Sequence, residues 1–323
     1  MGKTTKIGWT DATWNPTRGC SRVSAGCENC YAERVASRFG QKQDSPYYGL
    51  TVHGSSGPRW TGVIKLASHV ILEPLRWREP RSIFVNSMSD LFHDGIPDRF
   101  IDVVFAVMAL ADRHRFQILT KRPERMRSYV ADARPRVLAA MVEVGAKVER
   151  EWSKAQLLAC YAATMPQHEA RETWPIRNVW LGVSAEDQRA ADARIPILLE
   201  TPAALRFVSV EPMLGPIEME DYLTAVDPCP GWPNGRPPLE WVIVGGESGP
   251  RARQFDLGWA SRVQADCEAS GVPFFMKQLG AFPTRAADDG LGVVPVPISD
   301  RKGEEQSDWP LGLRIQEIPA WHA

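Results

Sequence analysis

Short apolar runs alternate with amphipathic stretches along most of the chain. The segments SIFVNSMSD (82–90), RFQILTKRP (115–123), NVWLGVSAED (178–187), LRFVSVEP (205–212), EWVIVGGESG (240–249) and VPFFMKQLG (272–280) share one design, a few apolar or β-branched residues followed by a polar cluster. Runs of that length and composition predict buried strands. Helical patterns lie between them. Asp98–Ala111 gathers Phe100, Ile101, Val104, Phe105 and Met108 on one face. Leu257–Ser270 places Trp259, Val263 and Cys267 four apart, and Gly271 follows where a helix-stopping glycine belongs. Tyr31 to Phe39 reads as a further helix.

Strand–helix alternation predicts an α/β fold with parallel strands and crossover helices. With a short strand before Cys20 the strands number seven, the size of a full or partial (β/α) TIM-like barrel. In such barrels the site lies at the C-terminal ends of the strands. The polar residues expected at that mouth include Asn86, Ser87, Ser89 and Asp90, then Thr120, Lys121 and Arg122, then Ser184, Glu186 and Asp187, and finally Glu211, Glu247, Ser248, Lys277 and Gln278. Residues 1–280 are assigned to the barrel, with 131–176, rich in Ala, Arg and Glu, as a helical insertion. Residues 281–323 are assigned to an irregular, acidic C-terminal extension packed by Trp309, Leu311 and Leu313 and ending freely.

The composition of 44% hydrophobic and 24% charged residues over 323 positions excludes a disordered chain. The N-terminal MGKTTKIGWTDATWNP has no apolar core of a secretory signal, and the longest apolar run, Val103–Ala111, is too short to span a bilayer. A cytoplasmic protein without membrane contact is expected. Lys+Arg 38 against Asp+Glu 39 gives a net charge of −1, which excludes a globally basic nucleic-acid binder. The neutral total conceals local bias. Arg113, Arg115, Lys121, Arg122, Arg125 and Arg127 stand against Glu124 alone, and residues 1–38 are also basic. With Trp9, Trp14, Tyr31, Trp60 and Trp77 interleaved for stacking, that bias suits a nucleic-acid substrate; solvated helix faces and core tryptophans are the plain alternative.

The cysteines are unevenly placed. Cys20, Cys27 and Cys30 form C-x6-C-x2-C, whereas Cys160, Cys229 and Cys267 are scattered and read as structural. Clustered thiols in a reducing compartment more often hold metal than form disulfides. A structural zinc takes four closed ligands and an iron–sulfur cube normally four cysteines, so three local ligands leave one position open. Iron–sulfur, zinc completed by His53, His69 or Cys229, and plain buried or redox thiols all remain compatible with the spacing.

A three-cysteine loop after the first strand of a (β/α) barrel resembles the radical S-adenosylmethionine superfamily, whose common spacing is C-x3-C-x2-C with an aromatic residue before the last cysteine. Here the first gap is longer, and Asn29 precedes Cys30 while Tyr31 follows it. Over Ile7 to about Gly280, the pieces GWTDATWNPTRGC, CENCYAER, FVNSMSDLFHD, LTKRPERM, VWLGVSAEDQ, SVEPMLGPI, VIVGGESGPRAR and FFMKQLG resemble a phage- and prophage-associated family of three-Cys-motif, radical-S-adenosylmethionine-like proteins of unknown function. That resemblance implies a [4Fe–4S] cluster on Cys20, Cys27 and Cys30, with S-adenosylmethionine chelated to the open iron. Ser87, Ser89 and Asp90 then occupy the second-strand position where the superfamily places a carboxylate for the cofactor's amino group. Gly245, Gly246, Glu247 and Ser248 carry the Gly-Gly-Glu pattern on a later strand, where glycines admit a flat ring or a phosphate and Arg251 and Arg253 suit an anion.

Glu211, before Pro212, and Lys277, at the end of an apolar strand, are the catalytic candidates. His93 and His114 have no nucleophile-and-base spacing around them. The leading expectation is an iron–sulfur enzyme of radical S-adenosylmethionine type, acting either on nucleic acid, which it would modify or repair, or on a small molecule. The alternative is a non-catalytic, metal-stapled module that binds a phage-related protein.

Overall fold

The computed structural model describes residues 5–55, 57–151, 174–224 and 238–320. Seven strands form one parallel sheet in chain order: β1 (Ala12–Trp14), β2 (Ser82–Val85), β3 (Arg115–Thr120), β4 (Val179–Ser184), β5 (Arg206–Val210), β6 (Trp241–Gly245) and β7 (Phe274–Gln278). Each predicted apolar run contains one of them, and each strand ends at or within its polar cluster. The register is continuous, for instance Ala12↔Ile83, Phe84↔Gln117 and Leu181↔Arg206. β1 and β7 are the two edges of this sheet, so the architecture is a partial barrel rather than a closed one.

Both faces of the sheet are apolar, as parallel sheets require. The concave face holds an aromatic cluster of Trp9, Phe84, Trp180, Phe207, Trp241 and Phe275 with Leu205 and Ile243. Gly182 in β4 belongs to this packing: a Cβ there would sit 2.6 Å from the Phe207 ring, so glycine is what lets the phenyl fill the concave side. The convex face packs the helices. These are α2 (Asp98–Leu110), α3 (Pro123–Asp132), α4 (Arg134–Glu151), α5 (Gln188–Leu199), α6 (Glu220–Leu223) and α7 (Leu257–Ser270), whereas α1 (Tyr31–Phe39) packs on the hairpin of Thr51–Gly54 and Gly57–Trp60 and lines the cavity beyond the strand ends. α7 starts on Asp256, whose side chain accepts Gly258 N at 2.7 Å, and stops at Gly271 with φ 65°. Among the described residues no helix is long and apolar enough to cross a membrane.

Two expectations change. The helical region assigned to 131–176 begins earlier, with α3, and α4 packs on α2; residues 152–173, including Cys160, lie outside the described residues, as does Cys229. The C-terminal extension is also more ordered than expected. Pro283–Ala286 pairs with Phe255–Asp256 and with Val293–Pro295. Further on, Gln316 bridges Phe275 antiparallel, Ile315 O accepts Met276 N at 2.8 Å, and Glu317 N donates to Phe274 O at 3.0 Å. This segment covers the outer edge of β7, satisfying backbone groups that an edge strand would otherwise expose. Trp309 and Leu313 are buried as expected, but Leu311 is 80% exposed.

Candidate active site

The strand ends open into a cavity of about 840 Å³. Cys20, Cys27 and Cys30 share its wall with Ser87, Ser89, Asp90, Glu211, Gly246, Glu247, Ser248 and Lys277. Glu186, Asp187, Gly245, Arg251 and Arg253 are off this lining; Gly245 is the last residue of β6, where its carbonyl accepts Met213 N at 3.0 Å.

The cysteine loop reaches the mouth through a tight approach. Gly19 bridges Ser89 and has φ 94°, and a Cβ on it would lie 2.1 Å from Val63 O, so no other residue fits there. Ala25–Cys27 forms a 3-10 turn and Cys30 is the N-cap of α1. All three thiols are free and partly exposed. Burial, then the charge of Asp90, pushes the Cys20 thiol up to about 12, and burial also raises Cys30. A metal binding there must displace protons.

The loop is clamped by strand-end side chains. From β3, Arg122 Nη1 reaches Asp90 Oδ2 at 2.9 Å and Cys20 Sγ at 3.9 Å, while Nη2 donates to Ser21 O and Ser21 Oγ at 3.1 and 2.9 Å. From β4, Glu186 accepts Gly26 N at 3.3 Å and is itself held by Arg194 at 2.8 Å. From β6, Glu247 accepts Asn29 Nδ2 at 2.9 Å, and Arg253 donates to Glu247, to Ala25 O at 2.9 Å and to Glu28 at 3.3 Å. Tyr31 donates to Ser87 O at 2.5 Å and Arg34 to Ser248 O at 3.1 Å.

These contacts redefine several expected roles. Asp90 accepts Phe92 N, Thr120 Oγ1, Lys121 N and Arg122 Nη1, so its oxygens are engaged within the protein. Glu247 is engaged likewise by Asn29 and Arg253. Ser87 Oγ donates to Asn15 Oδ1 at 3.2 Å, and Ser89 Oγ to Thr17 O at 3.0 Å. Arg253 is a clamp, not a free anion site. The glycines serve chain-on-chain contact: a Cβ on Gly246 would lie 2.2 Å from Leu279 O, and one on Gly249 2.7 Å from the Arg34 guanidinium. The hydrogen bonds of these side chains thus serve to fix the loop.

Glu211 and Lys277 form an ion pair on the wall, joining the ends of β5 and β7. His93 stands behind the loop. Its Nδ1 accepts Gly95 N at 3.0 Å, which places the proton on Nε2, 2.9 Å from Ser21 Oγ. His114 is buried far from the mouth against Trp77 and Phe116. Of the aromatics, Trp9 forms buried floor and Tyr31 and Trp60 line the wall, whereas Trp14 and Trp77 are off the lining. Asn29, Glu186, Arg194 and Arg253 were not foreseen as loop clamps. Only the repeated placement of charge just past each apolar run hinted at them.

Among the described residues no group of three or more His, Cys, Asp or Glu side chains closes on a point where one metal ion would sit. His53 is bonded to Ser37 Oγ at 3.0 Å instead, and His69 lies in the short turn Ser68–Val70. Three free cysteines on one cavity wall are the donor type that an iron–sulfur cube takes.

A family described as "Protein of unknown function (DUF5131)" matches residues 4–309. No curated protein matches the chain. No solved structure matches it either.

Proposed function

We propose that this chain, which belongs to the DUF5131 family of proteins of unknown function, is an iron–sulfur enzyme of radical S-adenosylmethionine type that modifies nucleic acid at the mouth of its partial barrel. The observation that carries the reading is the shared wall: three free thiols from one clamped loop face one cavity together with the Glu211–Lys277 pair.

Cys20, Cys27 and Cys30 would hold a [4Fe–4S] cluster, which when bound supplies the electron for reductive cleavage of S-adenosylmethionine. The chain's own residues do the rest. Arg122 donates toward Cys20 Sγ and offsets negative charge on that thiolate. Arg253, Asn29 and Glu186 fix the loop around Cys27 and Cys30. Trp9, Phe84 and Leu119 give the cavity an apolar floor that excludes water. Lys277, held by Glu211, presents an ammonium to an anionic group or a proton acceptor. A volume of about 840 Å³ suits a cofactor together with part of a substrate.

The second reading, a metal-stapled binding protein with a phage-related partner, makes the metal responsible for the loop's shape. The clamps at Ser21, Gly26 and Asn29 already supply that shape, which favours the catalytic reading. Anaerobic reconstitution followed by iron and sulfide analysis, with EPR before and after adding S-adenosylmethionine, tests it. A cluster whose signal shifts on addition supports the enzyme. Zinc in place of iron, or a cluster indifferent to S-adenosylmethionine, sinks it.

A further inference from the structure

The mouth carries more positive charge than its own carboxylates balance. Every acid on the cavity lining already holds a base: Asp90 holds Arg122, Glu211 holds Lys277, Glu247 holds Arg253, and Glu304 holds Lys302 at 3.0 Å. Five cations on the same lining have no carboxylate at ion-pair distance among the described residues; Arg34 donates to Ser248 O, and the other four are Lys6, Arg38, Lys121 and Arg301. The chain as a whole has net charge −1, so this excess is local.

The four come from separate places: the segment before β1, the last turn of α1, the loop after β3 and the C-terminal extension. Arg301 was hidden in an acidic run, and its turn is built rather than loose. Asp300 accepts Lys302 N at 2.7 Å and Glu305 N at 2.9 Å. The carbonyl of Gly303, a residue with φ 63°, accepts Leu279 N at 2.9 Å and Trp309 Nε1 at 3.0 Å. These contacts pin the backbone that carries Arg301 over the mouth, so little order has to be created on binding. On α1, Tyr31 and Phe39 are 45% and 58% exposed, and the Arg38 guanidinium lies over one face of the Phe39 ring, 5.6 Å from its centroid.

A single phosphate engages neighbouring donors, whereas cations spread round an opening match charges spaced along a strand. Concave sites of one sign also focus the field on such a ligand. We infer that the turn Asp300–Glu305 is part of the substrate site, and that Arg301, Lys121, Arg38 and Lys6 contact successive phosphates of a single-stranded polynucleotide laid across the mouth, with Tyr31 and Phe39 as stacking platforms. This inference rests on the mouth being where the chemistry occurs.

The test is fluorescence anisotropy of the full-length, reconstituted protein with labelled single-stranded DNA and RNA of one sequence, over a salt series. Arg301→Gln and Lys121→Gln are each expected to reduce the slope of log Kobs against log salt by about 0.7. Arg189→Gln, on the exposed face of α5, is expected to leave it unchanged. The DNA and RNA arms show which strand binds. Unchanged slopes in both mouth variants overturn the inference, as does equal competition by polyphosphate at equal charge. EPR of Arg301→Gln separates the two proposals: a retained S-adenosylmethionine shift with unchanged slopes removes this inference alone, and altered slopes without any shift in the parent protein remove the radical chemistry alone.

Discussion

The Arg122 guanidinium lies 2.9 Å from the Asp90 carboxylate, and each side chain keeps only about a tenth of its surface in solvent. Asp90 also accepts from Thr120 Oγ1 and from the backbone of Phe92 and Lys121, so deleting it strands a buried charge and three further donors. Breaking a buried pair by removing one partner typically costs about 3–5 kcal/mol. Asp90→Ala is expected to lose stability of that order in urea unfolding of the metal-free protein. A loss under about 1 kcal/mol would place the pair among ordinary surface contacts.

The cysteines are expected to behave differently. Their loop is held by Arg122, Glu186, Asn29 and Arg253, and Cys30 makes no side-chain cap bond to α1. Cys20→Ser, Cys27→Ser and Cys30→Ser should each abolish stable iron binding while shifting metal-free stability by no more than about 0.5 kcal/mol. Iron analysis paired with urea midpoints checks both halves. Coincident loss of fold and metal in all three variants would instead favour the staple.

The seven strands were readable because centrally buried parallel strands are apolar on both faces. The cysteine loop was readable from spacing, and the mouth from the polar residue after each run. Which polar groups are already spoken for was not readable. Asp90 meets Arg122 from the next strand end, and Asn29 meets Glu247 from the opposite side of the chain. No local pattern encodes such pairs. The cover over β7 was missed for a related reason: Gln316 forms an isolated bridge, with Ile315 and Glu317 paired beside it, too short to show the period of a sheet element. Tryptophan counts did not say that Trp9 faces the concave side while Trp14 lies among the convex-face core residues.

His114 provides a pH prediction. Burial, then the neighbouring Arg113, lowers its imidazole to about 4. A ring that stays neutral in the fold but takes a proton near pH 6.5 when unfolded makes the unfolded state the better proton binder between those values. Stability should therefore fall as pH drops from about 6.5 to about 4, by on the order of 3 kcal/mol. His114→Gln, which keeps a donor for Pro74 O, should flatten that slope in unfolding curves taken across the interval. An equally steep slope in the variant assigns the effect to other groups.

Removing residues 311–323 deletes the segment that pairs with β7. Met276 N and Phe274 O lose their partners, and Trp241 Nε1 loses Glu317 O. Exposed strand edges invite pairing between chains, so light scattering should show association of the truncated protein at concentrations where the full chain is dispersed. A monodisperse truncation would mean that the edge is protected by other means.

The clamps on the cysteine loop arrive late. Cys30 leaves the ribosome before Arg122, Glu186, Glu247 and Arg253, which follow in that order along the chain. At ordinary synthesis rates the interval from Cys30 to Arg253 lasts roughly ten to forty-five seconds. During that time the three thiols exist without the scaffold that gives them their geometry, open to stray metal and oxidant. The set of clamps around the loop is therefore complete only once Arg253 has been made.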